Sequence, residues 1–190
     1  MAFAPTDQEL LAAAAQGDEA AFGQLYLRYR NRVYGFAQHM LGAPALAEDV
    51  THEAFLVLIQ HPQRYQAARA SLLTFLCAVA RHHILQHLRR QGRCAPEPDE
   101  TAELWNVDPL DELLAHEMSE RVTAALAALP LAQREVLVLR EYQELSYAEI
   151  ATVSETDVNV VKARLYRARQ ALAKRLASYV AVGVAEGVKR

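Results

Sequence analysis

Residues 145–172 read LSYAEIATVSETDVNVVKARLYRARQAL, two helical patterns joined at Ser154-Glu155-Thr156. On a wheel of about 100° per residue, Val158, Val161, Leu165, Ala168 and Leu172 of the second pattern share one apolar arc. Asn159, Val160, Lys162, Ala163, Tyr166 and Arg167 point the other way, with Arg164 on the flank. One side docks and the other is offered outward, as when a helix enters a major groove with base-reaching side chains near its N-terminus. The first pattern opens on Ser146-x-x-Glu149, a capping box that sets the amides at Ser146 and Tyr147 where a phosphate could be held. The joint lacks the small, permissive residue and the apolar anchor that such a turn favours. Asp157 is a suitable N-cap for the second helix, so Ser154-Glu155-Thr156 need only turn the chain. The expectation is a helix-turn-helix that still reads DNA, held more loosely by about 1 kcal/mol.

Charge supports this reading once it is divided along the chain. The net charge is −3, yet residues 96–120 hold nine acids and no base, whereas residues 121–190 hold eleven bases against seven acids. Between 158 and 185 there are six bases (Lys162, Arg164, Arg167, Arg169, Lys174 and Arg175) and no acid, a local footprint for phosphate that a plain solvated helix face does not require. The chain is 52% apolar, poor in aromatics and glycine, and shows little strand-type alternation, which predicts an all-α fold. Its 190 residues suffice for two small lobes.

Outward from this element, Pro and Gly punctuate the chain. Thr6 or Asp7 caps a first helix to about residue 16, a longer one ends at Gly42, a third spans about 45–60 before His61-Pro62, and a fourth about 71–91 before Gly92. The stretch GRCAPEPDETAELWNVDP (92–109) has three prolines and little periodicity, the composition of a flexible acidic connector. Beyond it the pattern predicts helices within 110–128, at 131–142, at 147–153 and from 158 to about 177. A connector of this kind would let the lobes fold against each other and hide both DNA surfaces.

Two further faces stand out in the first lobe. Helix 71–91 sets Thr74, Phe75, Ala78, Arg81, His82, Leu85, Gln86 and Arg89 along one side, opposite Leu73, Leu76, Ala80, Ile84 and Leu88. An aromatic among cations and amides, with Arg64 and Tyr65 in the preceding loop, suits a separated nucleic-acid strand; Phe75 and Tyr65 fit a lobe core equally well. Helix 45–60 carries Glu48, Asp49, His52 and Glu53 opposite Val50, Ala54, Val57 and Leu58, with Phe55 and Leu56 expected beside the acids as a protein-docking surface.

Other chemistries find little support. His83 and His87 are spaced i,i+4 without a third ligand and read as packed histidines, and Cys77 and Cys94 have no metal spacing. No nucleophile-base set, P-loop or dinucleotide fingerprint occurs, so neither catalysis, cofactor nor metal is expected. Without a signal sequence or a span-length apolar run, the expected location is the cytoplasm.

Taken in order, AAQGDEAAFGQLYLRY, LGAPALAEDVTHEAFLVL, LLTFLCAVARHHILQHLRR, LPLAQREVLVLREYQELSYAEIA and VVKARLYRARQAL resemble the extracytoplasmic-function (ECF, group 4) sigma factors across nearly the whole chain. The resemblance implies a region 2 lobe over 1–92, a linker over 93–110, a region 4 lobe over 111–178 and a tail over 179–190. It implies that Asp49, His52, Glu53, Phe55 and Leu56 dock on the clamp coiled coil of RNA polymerase core. The minus-ten element would be opened and read by Arg64, Tyr65, Phe75, Arg81, His82, Gln86 and Arg89, and the minus-thirty-five element by Ser146, Tyr147, Asn159, Val160, Lys162, Arg164 and Arg167. Promoter DNA and core polymerase are the implied partners, an anti-sigma factor is a further candidate, and no membrane insertion is implied. Departures from the family pattern fall on His52, Phe75, His82, Gln86, Val160 and the 154–156 turn, so promoter preference is not inherited. The alternatives are a helix-turn-helix transcriptional regulator, or an adapter that binds polymerase without opening a promoter.

Overall fold

The computed structural model describes residues 5–92 and 115–187, with backbone alone for 115–120 and 177–187. All regular structure among them is helical: α1 Asp7–Ala15, α2 Glu19–Leu41, α3 Pro44–Gln60, a 3-10 turn Pro62–Arg64, α4 Leu72–Arg90, α5 Ala115–Ala127, α6 Leu131–Glu141, α7 Tyr147–Val153 and α8 Val158–Gly187. The boundaries follow from local chemistry. Thr6 accepts from the Glu9 amide while the Glu9 carboxylate accepts from the Thr6 amide, closing a capping box on α1. Asp18 accepts from the amides of Ala20 and Ala21 to start α2, which ends because Gly42 takes a left-handed conformation at φ 65°. Pro44 sits in the first turn of α3, where its missing N–H costs nothing, and Ser71 caps α4 through the Thr74 amide. Helix α8 continues past residue 177 into the tail, through Gly183 to Gly187, an extension that the sequence leaves open.

The first lobe closes around Leu25, Val33, Phe36 and Met40 of α2, Val50, Phe55 and Leu58 of α3, and Leu72, Leu76 and Ile84 of α4, all buried. The second closes around Leu126 and Leu129, Val136 and Leu139 of α6, Ile150 and Val153 of α7, and Val161, Leu165 and Ala168 of α8. These apolar sets merge into one cluster, because the lobes are packed together: α4 lies on α7, and α2 lies on α5 and α6. The predicted flexible connector, 93–110, falls outside the described residues. Among the described residues no helix is long and apolar enough to cross a membrane.

Candidate nucleic-acid and polymerase interfaces

In the second lobe α7 and α8 form the expected pair. Ser146 caps α7 through the Glu149 amide at 3.3 Å, and its own amide donates to the Glu149 carboxylate at 2.9 Å. The turn between the helices places Glu155 at φ +51°, the left-handed region that a glycine would occupy without strain. Ser154 is buried and its hydroxyl has no hydrogen-bond partner, the polar cost of lacking an apolar anchor there. From the turn onward α8 follows the wheel. Val161, Leu165 and Ala168 are buried, whereas Asn159, Val160, Lys162, Ala163, Tyr166 and Arg167 are exposed and Arg164 is half-buried at the edge. Tyr166 is 66% exposed, so an aromatic ring as well as two cations is presented outward.

Glu149 is more than a cap. Its second carboxylate oxygen accepts from Ser71 Oγ at 3.0 Å and Thr74 Oγ1 at 2.9 Å, both on the first lobe. Partial burial works to raise its pKa, but the donors from Ser146, Thr74 and Ser71 outweigh it and hold the carboxyl below its usual range. The N-terminus of α7 is therefore turned toward α4, and the Ser146 hydroxyl is bonded to Glu149. Tyr147 is half-buried under the Arg140 guanidinium, 5.1 Å from its ring centre. Ser146 remains exposed, and the cover on Tyr147 comes from Arg140 of its own lobe.

In the first lobe, Tyr65 and Phe75 are half-buried and their rings lie 5.7 Å apart. Desolvation first, and Asp7 second, raise the Tyr65 pKa, keeping the phenol neutral. Arg64, His82 and Arg89 are exposed, and Gln86, half-buried, is 3.0 Å from the His82 ring nitrogen. Phe75, His82, Gln86 and Arg89 share one side of α4, and Tyr65 lies against Phe75. Two members of that side do not face solvent. Thr74 is 1% exposed, because α7 covers it. Arg81 is turned into the second lobe, where Nε donates to Glu135 Oε1 at 2.8 Å and Nη2 to the Ser154 carbonyl at 3.3 Å.

The acidic face of α3 is correct except at one residue. Glu48, Asp49, His52 and Glu53 are exposed and Leu56 is 46% exposed. Phe55 is only 2% exposed; it packs edge-on against Phe22 and Tyr26 of α2, 6.3 and 4.9 Å between ring centres. It belongs to the core and not to a docking surface. The signal was present, since Ala47, Val50, Thr51, Ala54, Phe55 and Leu58 repeat at i, i+3, i+4, i+7, i+8 and i+11, and all six are buried.

His83 and His87 are half-buried, and burial, the largest influence on His83, lowers its pKa. Burial pushes the Cys77 thiol up to about 12, which leaves it inert at neutral pH. The described residues contain no group of three or more metal-ligating side chains.

Sequence reasoning did not find the residues that join the lobes. Arg134 donates to the Met40 carbonyl at the end of α2 (3.0 Å) and to the Leu129 and Ala127 carbonyls at the end of α5. Arg32 donates to the Gln143 carbonyl, and the His39 ring lies 4.0 Å from the Tyr142 ring. A signal existed in Glu135, an acid inside the apolar run of α6 that requires a buried donor from elsewhere.

Comparison with known proteins gives this arrangement its class. Residues 25–94 match the family described as Sigma-70 region 2, and residues 119–172 match Sigma-70, region 4. The two lobes are thus those of a sigma-70-type factor. Among relatives, the RNA polymerase sigma-H factor of Pseudomonas aeruginosa is 32% identical over 181 residues, covering 90% of this chain and 93% of its own. The ECF RNA polymerase sigma-E factor of Haemophilus influenzae is 30% identical over 182 residues, covering 90% and 95%. Among solved structures, a sigma factor RpoE in complex with the anti-sigma factor NepR from Bartonella quintana superposes with a TM-score of 0.64 at 20% identity, covering 82% of this chain and 96% of its own. CnrH in complex with the cytosolic domain of CnrY gives 0.69 at 24%, covering 90% and 97%; at such identities both show the fold. The chain belongs to the ECF RNA polymerase sigma factors: it binds RNA polymerase and directs promoter recognition in transcription initiation. A regulator that has only the helix-turn-helix is thereby set aside, since the first lobe is itself a sigma region.

Proposed function

We propose that the outward face of α8, with Asn159, Val160, Lys162, Arg164 and Arg167, enters the major groove of the minus-thirty-five element. Arg64, Tyr65, Phe75, His82, Gln86 and Arg89 then hold the separated minus-ten strand, and Asp49, His52, Glu53 and Leu56 dock on the clamp coiled coil of core polymerase. The 1–92 and 111–178 lobes divide these tasks, with 93–110 as the linker and 179–190 as the tail. The protein acts in the cytoplasm as a non-enzymatic factor, and an anti-sigma factor is a fitting partner, as one is in complex with the Bartonella RpoE. The observation that carries this reading is the solvent-facing side of α8, where Lys162 and Arg167 stand exposed beside an apolar arc that is buried.

The test uses the full chain with purified core polymerase, on a promoter found by sequencing the DNA that the reconstituted holoenzyme binds. Replacing Asp49 and Glu53 by Ala is expected to weaken core affinity several-fold, while duplex binding by the free protein is unchanged. Unaltered core affinity would remove α3 from the docking surface.

A further inference from the structure

We propose that Arg81 has two mutually exclusive partners: the Glu135 carboxylate and Ser154 carbonyl when the lobes are closed, and the phosphates of the separated minus-ten strand when they are open. This rests on reading the α4 side as the minus-ten track.

Closure and promoter binding are incompatible on distance alone. The two elements, as their names give them, lie about 25 base pairs apart, roughly 85 Å at 3.4 Å per base pair. In this structure Arg81 of the first lobe is 3.3 Å from the carbonyl of Ser154, in the turn that leads into α8. The lobes must separate before both elements are read, and the Arg81 contacts must then break.

The interface is built to break at this point. Its bonds are polar: Arg81 to Glu135, Ser71 and Thr74 to Glu149, and Arg134 to the Met40 carbonyl. Ion pairs and hydrogen bonds of this kind exchange with water at small net cost when both partners are released together. The closed structure also holds unsatisfied polar atoms on residues that meet the first lobe, Gln143 Oε1 and Arg134 Nε. Opening lets these regain partners, so the polar contacts, beside the apolar cluster that joins the lobes, are the part of the interface that exchanges with water. Among these polar groups Arg81 is the cation that lies on the same side of α4 as Phe75, His82 and Arg89. Its guanidinium is engaged by the second lobe through Nε and Nη2, with Glu155 Oε2 3.9 Å from Nη1, and these bonds must break before it can grip a phosphate. One side chain thus links the separation of the lobes to strand capture, lowering the fraction of binding-competent molecules before core engages.

The proposal predicts that variants at the two ends of the pair share one phenotype and differ in another. Small-angle scattering of the free full-length chain reports closure, and reactivity of unpaired minus-ten thymines in the reconstituted holoenzyme reports opening of the promoter. Arg81→Ala and Glu135→Gln should each raise the open-to-closed ratio by about tenfold or more, visible as a larger radius of gyration. In the holoenzyme Glu135→Gln should open the promoter at least as well as wild type, while Arg81→Ala falls by about tenfold. If Glu135→Gln fails to fold, Glu149→Gln takes its place, since glutamine keeps the α7 capping box while weakening the bonds from Ser71 and Thr74; it too should expand the free chain and spare promoter opening. An Arg81→Ala holoenzyme that opens DNA normally would overturn the strand-binding half, and a chain as compact as wild type in every variant would overturn the latch. Failure of the wild-type holoenzyme to open any promoter would instead strike at the reading of α4 itself.

Discussion

Helices α3 and α4 of the first lobe differ from α8 of the second in how well one apolar arc describes them. Among the described side chains of α8, Val161, Leu165 and Ala168 of the apolar arc are buried, Val158 and Leu172 are half-buried, and the outward set through Arg167 is exposed. On α3 the expected docking face includes Phe55, which the repeat of buried positions puts in the core, and on α4 Thr74 and Arg81 are hidden by the other lobe. The reason is where the neighbours sit. The described side chains of α8 pack on the second lobe from one side, against α5, α6 and α7, whereas α3 lies between α2 and α4, and α4 also carries α7 of the other lobe. A helix with one packed side has one hidden arc. A helix with two hides side chains that local periodicity assigns to solvent, and a polar residue on the second arc must find a partner there.

The largest expected effect sets the two kinds of helix against each other through their aromatics. Phe55→Ala removes a buried ring between Phe22 and Tyr26 and should cost about 3–5 kcal/mol of unfolding free energy. Tyr166→Ala on α8, 66% exposed, should change it by no more than about 0.5 kcal/mol. Urea unfolding of both variants decides the matter. A mild Phe55 variant would return that residue to the docking surface.

A second contrast concerns charge. On the outward side of α8, Lys162 and Arg167 are exposed, and each replacement by Ala should weaken duplex binding several-fold and lower the salt slope by about 1. Fluorescence anisotropy of a labelled duplex over a range of salt concentrations measures both quantities together. If either variant keeps the wild-type slope, that cation does not neutralise a phosphate and the assignment of the α8 face weakens with it.

Much of the molecule was open to inspection in the sequence because the signals were local. Thr6, Asp18, Gly42 and Ser71 mark helix ends by hydrogen bonds within a turn or by backbone conformation, and they do so whatever the rest of the chain does. The α8 face was legible for the same reason, being a periodic pattern with its charges segregated. The contacts between lobes were not. Arg81 and Glu135 are 54 positions apart and Arg134 and Met40 are 94 apart, separations at which spacing conveys nothing about contact. The expectation that closure would hide both DNA surfaces illustrates the limit. Closure engages Arg81 and the start of α7, yet it leaves the outward side of α8 exposed.

The smallest effect concerns the turns on either side of α7. Two glutamates bracket that helix in left-handed conformations, Glu144 at φ 54° and Glu155 at φ 51°. A residue with a Cβ pays about 1 kcal/mol there, and a glycine would regain part of that while adding freedom to the unfolded chain. Glu144→Gly and Glu155→Gly should therefore each stabilise the fold by about 0.5 kcal/mol if strain is all that matters. Glu155 differs in having Arg81 Nη1 at 3.9 Å, with its own side chain 84% exposed; a pair so open to solvent adds little. Unfolding midpoints of the two variants measured side by side isolate that contribution. Equal gains would show that Glu155 merely turns the chain into α8, whereas a smaller gain at Glu155 would make it an outer member of the Arg81 contact.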